Sequence, residues 1–394
     1  MRIAPRWWVV SIFYLSSVLN YLDRQLLGAL SIEIKTEFHL SNEQYGQILS
    51  VFAIVYMICS PFSGWMLDKL GLNLGSSIAV ALWSIAGMAR SFTQGLGGLI
   101  TTHSLVAVGE SAGIPSTGKA AQMYLKQEER ALGSSLSQFG LTFGMMGASL
   151  LAAYCIPRWG WRSAFLLAGW LGFLWIPLWW WASKQAPVQE TPRDMGDIDA
   201  KEILKKPQTW GFIAANVLGM TIFALWTSWT VIFFKNMYGL DSVEANKLAP
   251  IPQFLAYAGS ILGGAASLWL IRKGWEPLRA RRRICLIAAV GMLVTAFVPM
   301  AATPWQAVGM IALSTFASNL WGVNLYTMPL DAYGSNRAAF AVSLLTAGYG
   351  FLQIVISPWI GRQVDASGFS TVCLVAAVCP LLGYGILELT REKK

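Results

Sequence analysis

Two apolar stretches of this sequence contain charged or titratable side chains. Asp23 and Arg24 lie at the far end of an apolar run that begins at Trp7, and His103 and Glu110 share a later run. A charge in hydrocarbon costs about 2.5–3.5 kcal/mol on insertion scales, so such residues are functional by default. An arginine can hold a carboxylate by two hydrogen bonds, and a buried acid can bind and release a proton. The alternative is a salt-bridge network that only holds helices together.

The spacing of these residues predicts which of them share partners. Asp23 and Arg24 are adjacent, so they project about 100° apart around a helix and should not face the same partner. His103 and Glu110 are seven residues apart, about two helical turns, and should lie on one face. A histidine can lose its charge near neutral pH, so His103 either joins a proton relay or only fills its site.

The chain that positions these residues is strongly apolar. It has 394 residues, of which 55% are hydrophobic and 12% charged, and its mean hydropathy is +0.51. Soluble domains carry roughly 25% charged residues, and a soluble protein of this size cannot hide so much apolar surface. The composition therefore predicts an all-α protein that crosses a lipid bilayer many times. The net charge of +9 fits the excess of basic residues in cytoplasmic loops, and we expect no nucleic-acid partner.

A transmembrane helix needs about 20 mostly apolar residues, and twelve segments meet that need. They lie near 7–28, 45–67, 74–93, 96–117, 132–154, 163–183, 210–234, 249–271, 284–302, 304–328, 338–360 and 369–388. The polar segment 184–209 predicts a solvated linker with a short helix near 198–206. We therefore expect an N-terminal six-helix bundle at 1–183 and a C-terminal six-helix bundle at 210–394.

Lysine and arginine set the expected topology. Basic residues concentrate before the first span and in the loops after spans 4 and 8, all on one side of the predicted membrane. They are Arg2, Arg6, Lys119, Lys126, Arg130, Arg272, Lys273, Arg279, Arg281, Arg282 and Arg283. Both termini and the linker should therefore be cytoplasmic. The first apolar run lacks a small-residue cleavage site, so we expect a first transmembrane helix and no signal peptide.

The loop after the second span reads "GWMLDKLG" (64–71). Gly64 would allow close helix approach, Asp68 would stabilise a neighbouring helix N-terminus, and Lys69 would pair across the cytoplasmic face. This loop, with twelve spans and a central linker, resembles the signature of the major facilitator superfamily. The major facilitator fold is therefore expected. Glycines at 140 and 144 form the small-residue pattern that lets membrane helices cross closely.

Further segments resemble the anion:cation symporter family within that superfamily. They are "NYLDR" (20–24), "GESAGIPSTGKA" (109–120), "KQEERALGSSLSQFG" (126–140) and "GWRSAF" (160–165). That family includes bacterial hexuronate, galactonate and glucarate transporters and animal vesicular glutamate and sialic acid carriers. In the C-terminal half the resemblance is thinner and is carried by "LIRKGWEPLRARRR" (270–283) and the pattern of spans.

The resemblance implies roles for several residues. It assigns proton coupling to Asp23 and Glu110, and substrate binding or gating to Arg24. His103 departs from the family, which usually has arginine at this position, so it either takes part in coupling or occupies a relaxed arginine site. Further predicted substrate contacts are Tyr21, Tyr56 and Gln138 from spans 1, 2 and 5, and Asn216 and Trp321 from spans 7 and 10.

Together these features predict a secondary active transporter of a bacterial-type inner membrane. It would carry a small organic anion, such as a hexuronate or aldonate, with protons by alternating access around one site near the bilayer midplane. We expect a monomer, no cofactor beyond the coupling proton, no metal site and no enzymatic activity, because the sequence lacks a Walker P-loop and the H-E-x-x-H motif. An efflux antiporter for drugs or metabolites and a transport-dead nutrient sensor remain alternatives.

Overall fold

The computed structural model describes residues 4–126, 129–188, 200–333 and 335–391. Within these ranges the side chains of helical residues 130–132, 134–139, 200–202 and 335–341 are not described. The described residues form α-helices and short 3₁₀ helices, and they contain no β-strand. The predicted all-α class is therefore confirmed.

The first seven helices precede the central linker. They are α1 Pro5–Ala29, α2 Ser31–Phe38, α3 Asn42–Ala89, α4 Leu96–Glu110, α5 Gly113–Tyr124, α6 Arg130–Trp159 and α7 Arg162–Ala182, with a 3₁₀ helix at Arg90–Phe92. α3 is two helices in sequence, because Gly71 interrupts it with a φ of 77°. Only glycine adopts that left-handed conformation without strain.

The remaining ten helices follow, and the first two of them start within the linker. They are α8 Ala200–Lys205, α9 Pro207–Gly219, α10 Thr221–Ser228, α11 Thr230–Tyr238, α12 Ser242–Leu248, α13 Pro250–Arg272, α14 Pro277–Met292, α15 Pro304–Tyr333, α16 Ser335–Ser367 and α17 Phe369–Leu389, with a 3₁₀ helix at Leu293–Met300. α8 is the short helix expected near 198–206. Linker residues 189–199 lie outside the described residues.

Each of the twelve predicted spans coincides with helical structure. Among the described residues, nine segments are by themselves long and apolar enough to cross a membrane, and one of these, Asn42–Phe92, contains the predicted second and third spans. The predicted first and fourth spans are not among the nine. They are the segments that carry the titratable residues, and the fourth is interrupted by a turn at residues 111–112 after Glu110.

The described residues group into two compact units. The first comprises Met1–Leu40, Gln47–Arg193 and Asp241–Lys247. The second comprises Ser41–Gly46, Asp194–Leu240 and Leu248–Lys394. The boundaries expected from the sequence, with a linker at 184–209 between two six-helix bundles, stay a prediction.

The core of the first unit holds α1 against α5, α6 and α7. α1 and α6 cross closely at the small-residue pattern, since a Cβ added to Gly140 would lie 2.6 Å from Ser17 Cβ, and one added to Gly144 would lie 2.6 Å from Tyr21 Cβ. Nearer the start of α1, Phe13 packs edge-on against Trp179, with ring centroids 4.8 Å apart. These contacts fix the helix that carries Asp23 and Arg24.

The loop after the second span differs in detail from expectation. A Cβ added to Gly64 would have no neighbour within 4 Å among the described residues, so no close helix contact is seen there. Asp68 accepts a hydrogen bond from Lys119 Nζ at 2.9 Å, and Lys69 Nζ lies 4.2 Å from the Trp65 ring centroid. The loop is therefore joined to α5 through Lys119 rather than through Lys69.

In the second unit, α13 and α14 pack on α15, and α17 packs on α9. Helices α13 and α15 also approach each other closely at small residues. A Cβ on Gly259 would lie 2.1 Å from the Phe316 carbonyl oxygen, and one on Gly263 would lie 3.0 Å from Leu320 Cα. Asn324 donates a hydrogen bond to the Gly263 carbonyl at 3.1 Å. α15 is thus held closely against α13 by both van der Waals and polar contacts.

Candidate functional site

Three helices of the first unit bring most of the predicted site residues together. α1 supplies Tyr21, Asp23 and Arg24, the part of α3 before Gly71 supplies Phe52 and Tyr56, and α4 supplies His103 and Glu110. The network also includes Arg90, the first residue of the 3₁₀ helix that follows α3. All these residues belong to one unit, so the site is built from the N-terminal part of the chain.

Arg24 and Glu110 form the first of two ion pairs. Arg24 Nε donates to Glu110 Oε2 at 2.7 Å, and the side chains are 23% and 0% exposed. Glu110 is the last residue of α4, and its second oxygen, Oε1, has no hydrogen-bond partner among the described residues. The pair is therefore accessible from the arginine side and closed on the carboxylate side.

Three aromatic rings surround the Arg24 guanidinium. Its Cζ lies 5.2 Å from the Tyr21 ring centroid, 5.0 Å from that of Phe52 and 4.8 Å from that of Tyr56. Cations within about 6 Å of an aromatic centroid are attracted to its electron-rich face. The rings stabilise the cation without neutralising it, so its positive charge stays available to an anion. Tyr21 and Tyr56 thus lie beside Arg24, together with Phe52, which was not among the predicted contacts. Their role in substrate binding stays a prediction.

Asp23 and Arg90 form the second pair. Arg90 Nη2 donates to Asp23 Oδ1 at 2.7 Å, with side-chain exposures of 0% and 4%. Arg90 also donates to the main-chain carbonyls of Asp23 at 3.2 Å and of Gly87 at 3.3 Å, and its Cζ lies 4.2 Å from the Phe165 ring centroid. A Cβ on Gly87 would lie 2.8 Å from Asp23 Oδ1, so only glycine leaves room for the acid.

Sequence reasoning missed Arg90, although a signal was present. It is the only lysine or arginine between residues 70 and 118, and it lies inside the predicted third span. The same rule that singled out Asp23 and Arg24, that a charge in an apolar segment needs a partner, applies to it equally.

His103 lies between the two ion pairs. Its Nδ1 is 3.5 Å from Arg90 Nη1, and its ring is 4.6 Å from the Phe52 ring centroid to centroid. The side chain is 1% exposed. An imidazole beside a guanidinium is best placed when it is neutral and offers a nitrogen lone pair. His103 and Glu110 both reach the network, as their spacing predicts.

The network described above does not include the other three predicted contacts. Gln138 is in α6, but its side chain lies outside the described part of the chain. Asn216 and Trp321 belong to the second unit. Both are fully buried: Asn216 donates to the Leu345 carbonyl at 2.7 Å, and Trp321 packs against Gly219. Their role as substrate contacts stays a prediction.

The sequence profile of the Major Facilitator Superfamily matches residues 13–358. The chain belongs to this superfamily, whose members are transporters rather than enzymes, and it is a multi-pass membrane protein of the expected fold.

Individual relatives are consistent with this assignment. The hexuronate transporter of Escherichia coli K12 is 26% identical over 99% of this chain and 94% of its own. The galacturonate transporter of Dickeya chrysanthemi is 25% identical over 78% of this chain and 94% of its own. A solved bacterial homologue of the human lysosomal transporter Spinster superposes with a TM-score of 0.82 at 18% identity, covering 99% and 98% of the two chains. The expected likeness to sugar-acid transporters is confirmed.

Proposed function

We propose that this protein takes up a small organic anion, a sugar acid such as a hexuronate or aldonate, together with protons. The observation that carries the proposal is the Arg24–Glu110 pair, in which a partly accessible guanidinium is held at 2.7 Å by a fully buried carboxylate. A guanidinium can bind a substrate carboxylate through two parallel hydrogen bonds. The hexuronate and galacturonate transporters among its relatives support an anion with hydroxyl groups.

Charge balance supports coupling to protons. The network contains two carboxylates, Asp23 and Glu110, and two guanidiniums, Arg24 and Arg90, so with His103 neutral it carries no net charge. A substrate carboxylate that binds Arg24 competes with Glu110 and adds one negative charge. Uncompensated charge in a buried membrane site is costly. Proton uptake by Glu110, whose Oε1 has no described partner, restores neutrality.

Asp23 is the second proposed proton carrier. Its Oδ2 is buried and has no hydrogen-bond partner among the described residues, so this oxygen is the one that would take the proton. Protonation would weaken its bond to Arg90 and loosen α1 from the 3₁₀ helix at Arg90–Phe92. In this proposal the two acids link the protonation state to the position of α1, and a proton gradient drives the cycle by mass action.

The proposal includes the cellular setting. The protein would lie in a bacterial inner membrane as a monomer, with both termini and the central linker on the cytoplasmic side. The support is the placement of lysine and arginine in the loops that share a side with the N-terminus. Cysteine labelling of single-cysteine variants at Lys184 and Lys273 from either side of sealed membranes tests this topology.

Uptake by proteoliposomes tests the function. With an inward proton gradient, the parent protein should accumulate one of the radiolabelled probes D-glucuronate, D-galacturonate and D-galactonate above its external concentration. Glu110→Gln should exchange the anion across the membrane but no longer accumulate it, and Arg24→Ala should neither bind nor exchange it. Glu244→Gln, which changes an exposed glutamate in α12, is the matched control and should behave as the parent.

Three outcomes would refute the proposal. Uphill accumulation by Glu110→Gln at the parental level would remove Glu110 from coupling. Export of organic cations that survives Arg24→Ala would identify an efflux antiporter. Substrate binding without flux in either direction would identify a sensor.

A further inference from the structure

A second concentration of charge lies in the second unit. Residues 272–283 contain six lysines or arginines and a single acid, Glu276. Arg281 is paired with Asp331. Arg279 and Arg283 are exposed, and the described residues provide neither of them with an ion pair. Glu276 and Glu388 lie near Arg282, so Arg279 and Arg283 are the cations of this cluster that stand out as lacking an ion pair among the described residues.

Arg279 and Arg283 head an exposed stripe along α14. With Ile287 and Val290 they occupy positions i, i+4, i+8 and i+11 of one helix face. The two apolar residues are 55% and 53% exposed. The opposite face, which includes Cys285, is buried on the side where α14 packs on α15. In a membrane protein such an outward apolar stripe faces lipid, so the arginines lie at the end of a lipid-facing surface.

Two exposed tryptophans indicate the depth in the bilayer at which the start of α14 lies. Lys273 Nζ lies 3.7 Å from the Trp269 ring centroid, and Arg279 Cζ lies 5.2 Å from that of Trp275. Trp269 and Trp275 are 56% and 36% exposed. Tryptophan is enriched where the hydrocarbon meets the polar headgroups. The cations are thus placed at headgroup depth, directly above the apolar stripe.

Two further features favour an anion at this end of α14. α14 begins at Pro277, directly after Glu276 at its N-cap position, and its first turn contains Arg279 and no acid, although the positive end of a helix favours negative charge and disfavours arginine. Beside the stripe, Arg282 is only 7% exposed, and its Nε has no hydrogen-bond partner among the described residues. A bound phosphate would offset the repulsion among these cations.

We propose that this surface binds an anionic phospholipid such as phosphatidylglycerol. The headgroup phosphate lies against Arg279, Arg283 and the start of α14, beside the Trp275 ring, and an acyl chain lies along Ile287 and Val290. A soluble phosphate has no apolar part that could contact the stripe. A zwitterionic lipid would bring a further cation to a surface that already has an excess of positive charge. The chemistry therefore selects a lipid with a net negative headgroup.

Native mass spectrometry of the purified full-length protein tests the proposal. The protein is equilibrated with equimolar phosphatidylglycerol and phosphatidylcholine, and the ratio of retained lipids is measured. A basic residue near an anionic surface contributes about fivefold in binding. The double variant Arg279→Gln/Arg283→Gln should therefore lower the ratio on the order of 20-fold. Arg158→Gln is the control, because Arg158 is also exposed and lies 3.9 Å from a ring centroid, that of Tyr154, but at a helix C-terminus.

Folding of the double variant is checked by its melting temperature in lipid-free detergent, which should not fall, because Arg279 leaves the positive end of a helix and Arg283 is exposed without an ion pair among the described residues. The proposal is overturned if the parent retains both lipids equally, or if the double variant keeps the parental ratio. It is also overturned if millimolar glycerol 3-phosphate displaces phosphatidylglycerol completely, since the site would then be one for a soluble phosphate.

Discussion

At the scale of single residues, the Asp23–Arg90 pair makes the stability of the first unit sensitive to the loss of either charge. Both partners are almost completely buried, and Arg90 also bonds two main-chain carbonyls. Such a pair contributes little compared with a well-packed apolar pair, but loss of one partner leaves an uncompensated buried charge. The pair is therefore more sensitive to single than to double substitution.

We predict that Arg90→Met destabilises the protein by about 3–5 kcal/mol, because Asp23 is left without its counter-charge. Adding Asp23→Leu should recover most of the loss, since the remaining site is apolar. Thermal unfolding in detergent measures both variants, with Arg362→Met as a control, because Arg362 is exposed and its contact with Glu43 is 3.4 Å long. A double variant as unstable as the single one would show that Arg90 acts through its other contacts.

At the scale of helices, the α1–α6 crossing positions the site. Tyr21 lies in α1 one turn before Arg24. A Cβ added to Gly144 of α6 would lie 2.6 Å from the Cβ of Tyr21. Any side chain at position 144 must therefore displace α1, and with it Tyr21 and Arg24.

Gly144→Ala should therefore destabilise the protein by roughly 1–3 kcal/mol through overpacking and reduce uptake of the anion. Gly118→Ala is the matched control. Gly118 is also helical, but an added Cβ meets nothing within 4 Å, so it should stabilise by about 0.5–1 kcal/mol through helix propensity. Melting temperature and proteoliposome uptake are measured together. Equal behaviour of the two alanine variants would show that the crossing tolerates a side chain.

The start of α1 is fastened by an ion pair outside the spanning segments. Arg6 donates to both oxygens of Glu129, at 2.8 and 2.9 Å. The Arg6 guanidinium is the main cause that lowers the pKa of Glu129 from the ordinary 4.5 to about 2. Because the folded-state pKa is lowered, the stabilisation is complete above about pH 4.5 and is lost as pH falls towards 2.

Glu129→Gln should consequently lower the melting temperature at pH 7 and make no difference near pH 2. The difference between parent and variant should shrink between pH 4.5 and 2, and Arg6→Gln should have the same profile. A difference that is constant over this pH range would mean that packing, and not the charge of Glu129, explains the effect.

At the scale of the whole molecule, the sequence predicts two six-helix bundles joined by a solvated linker. If the linker only tethers, co-expression of residues 1–188 and 200–394 as two chains should restore uptake. A split between residues 146 and 147, inside α6, should not, because it divides a helix that packs on α1. Loss of uptake from the linker split, with both fragments present in the membrane, would assign the linker a role beyond tethering.

The sequence by itself determined the membrane class, the helical segments, the small-residue pattern at which α6 is crossed closely, and the separate partners of Asp23 and Arg24. These follow from composition and from the geometry of one helix, in which neighbouring residues project about 100° apart. The identity of the partners was decided only by the tertiary structure. Asp23 and Arg90 are 67 residues apart, and periodicity specifies the face of a helix but not the side chain opposite it. For the same reason the sequence could not predict that Asp68 accepts a hydrogen bond from Lys119 or that His103 lies beside Arg90. It also could not predict that Gly64 lacks a close neighbour among the described residues.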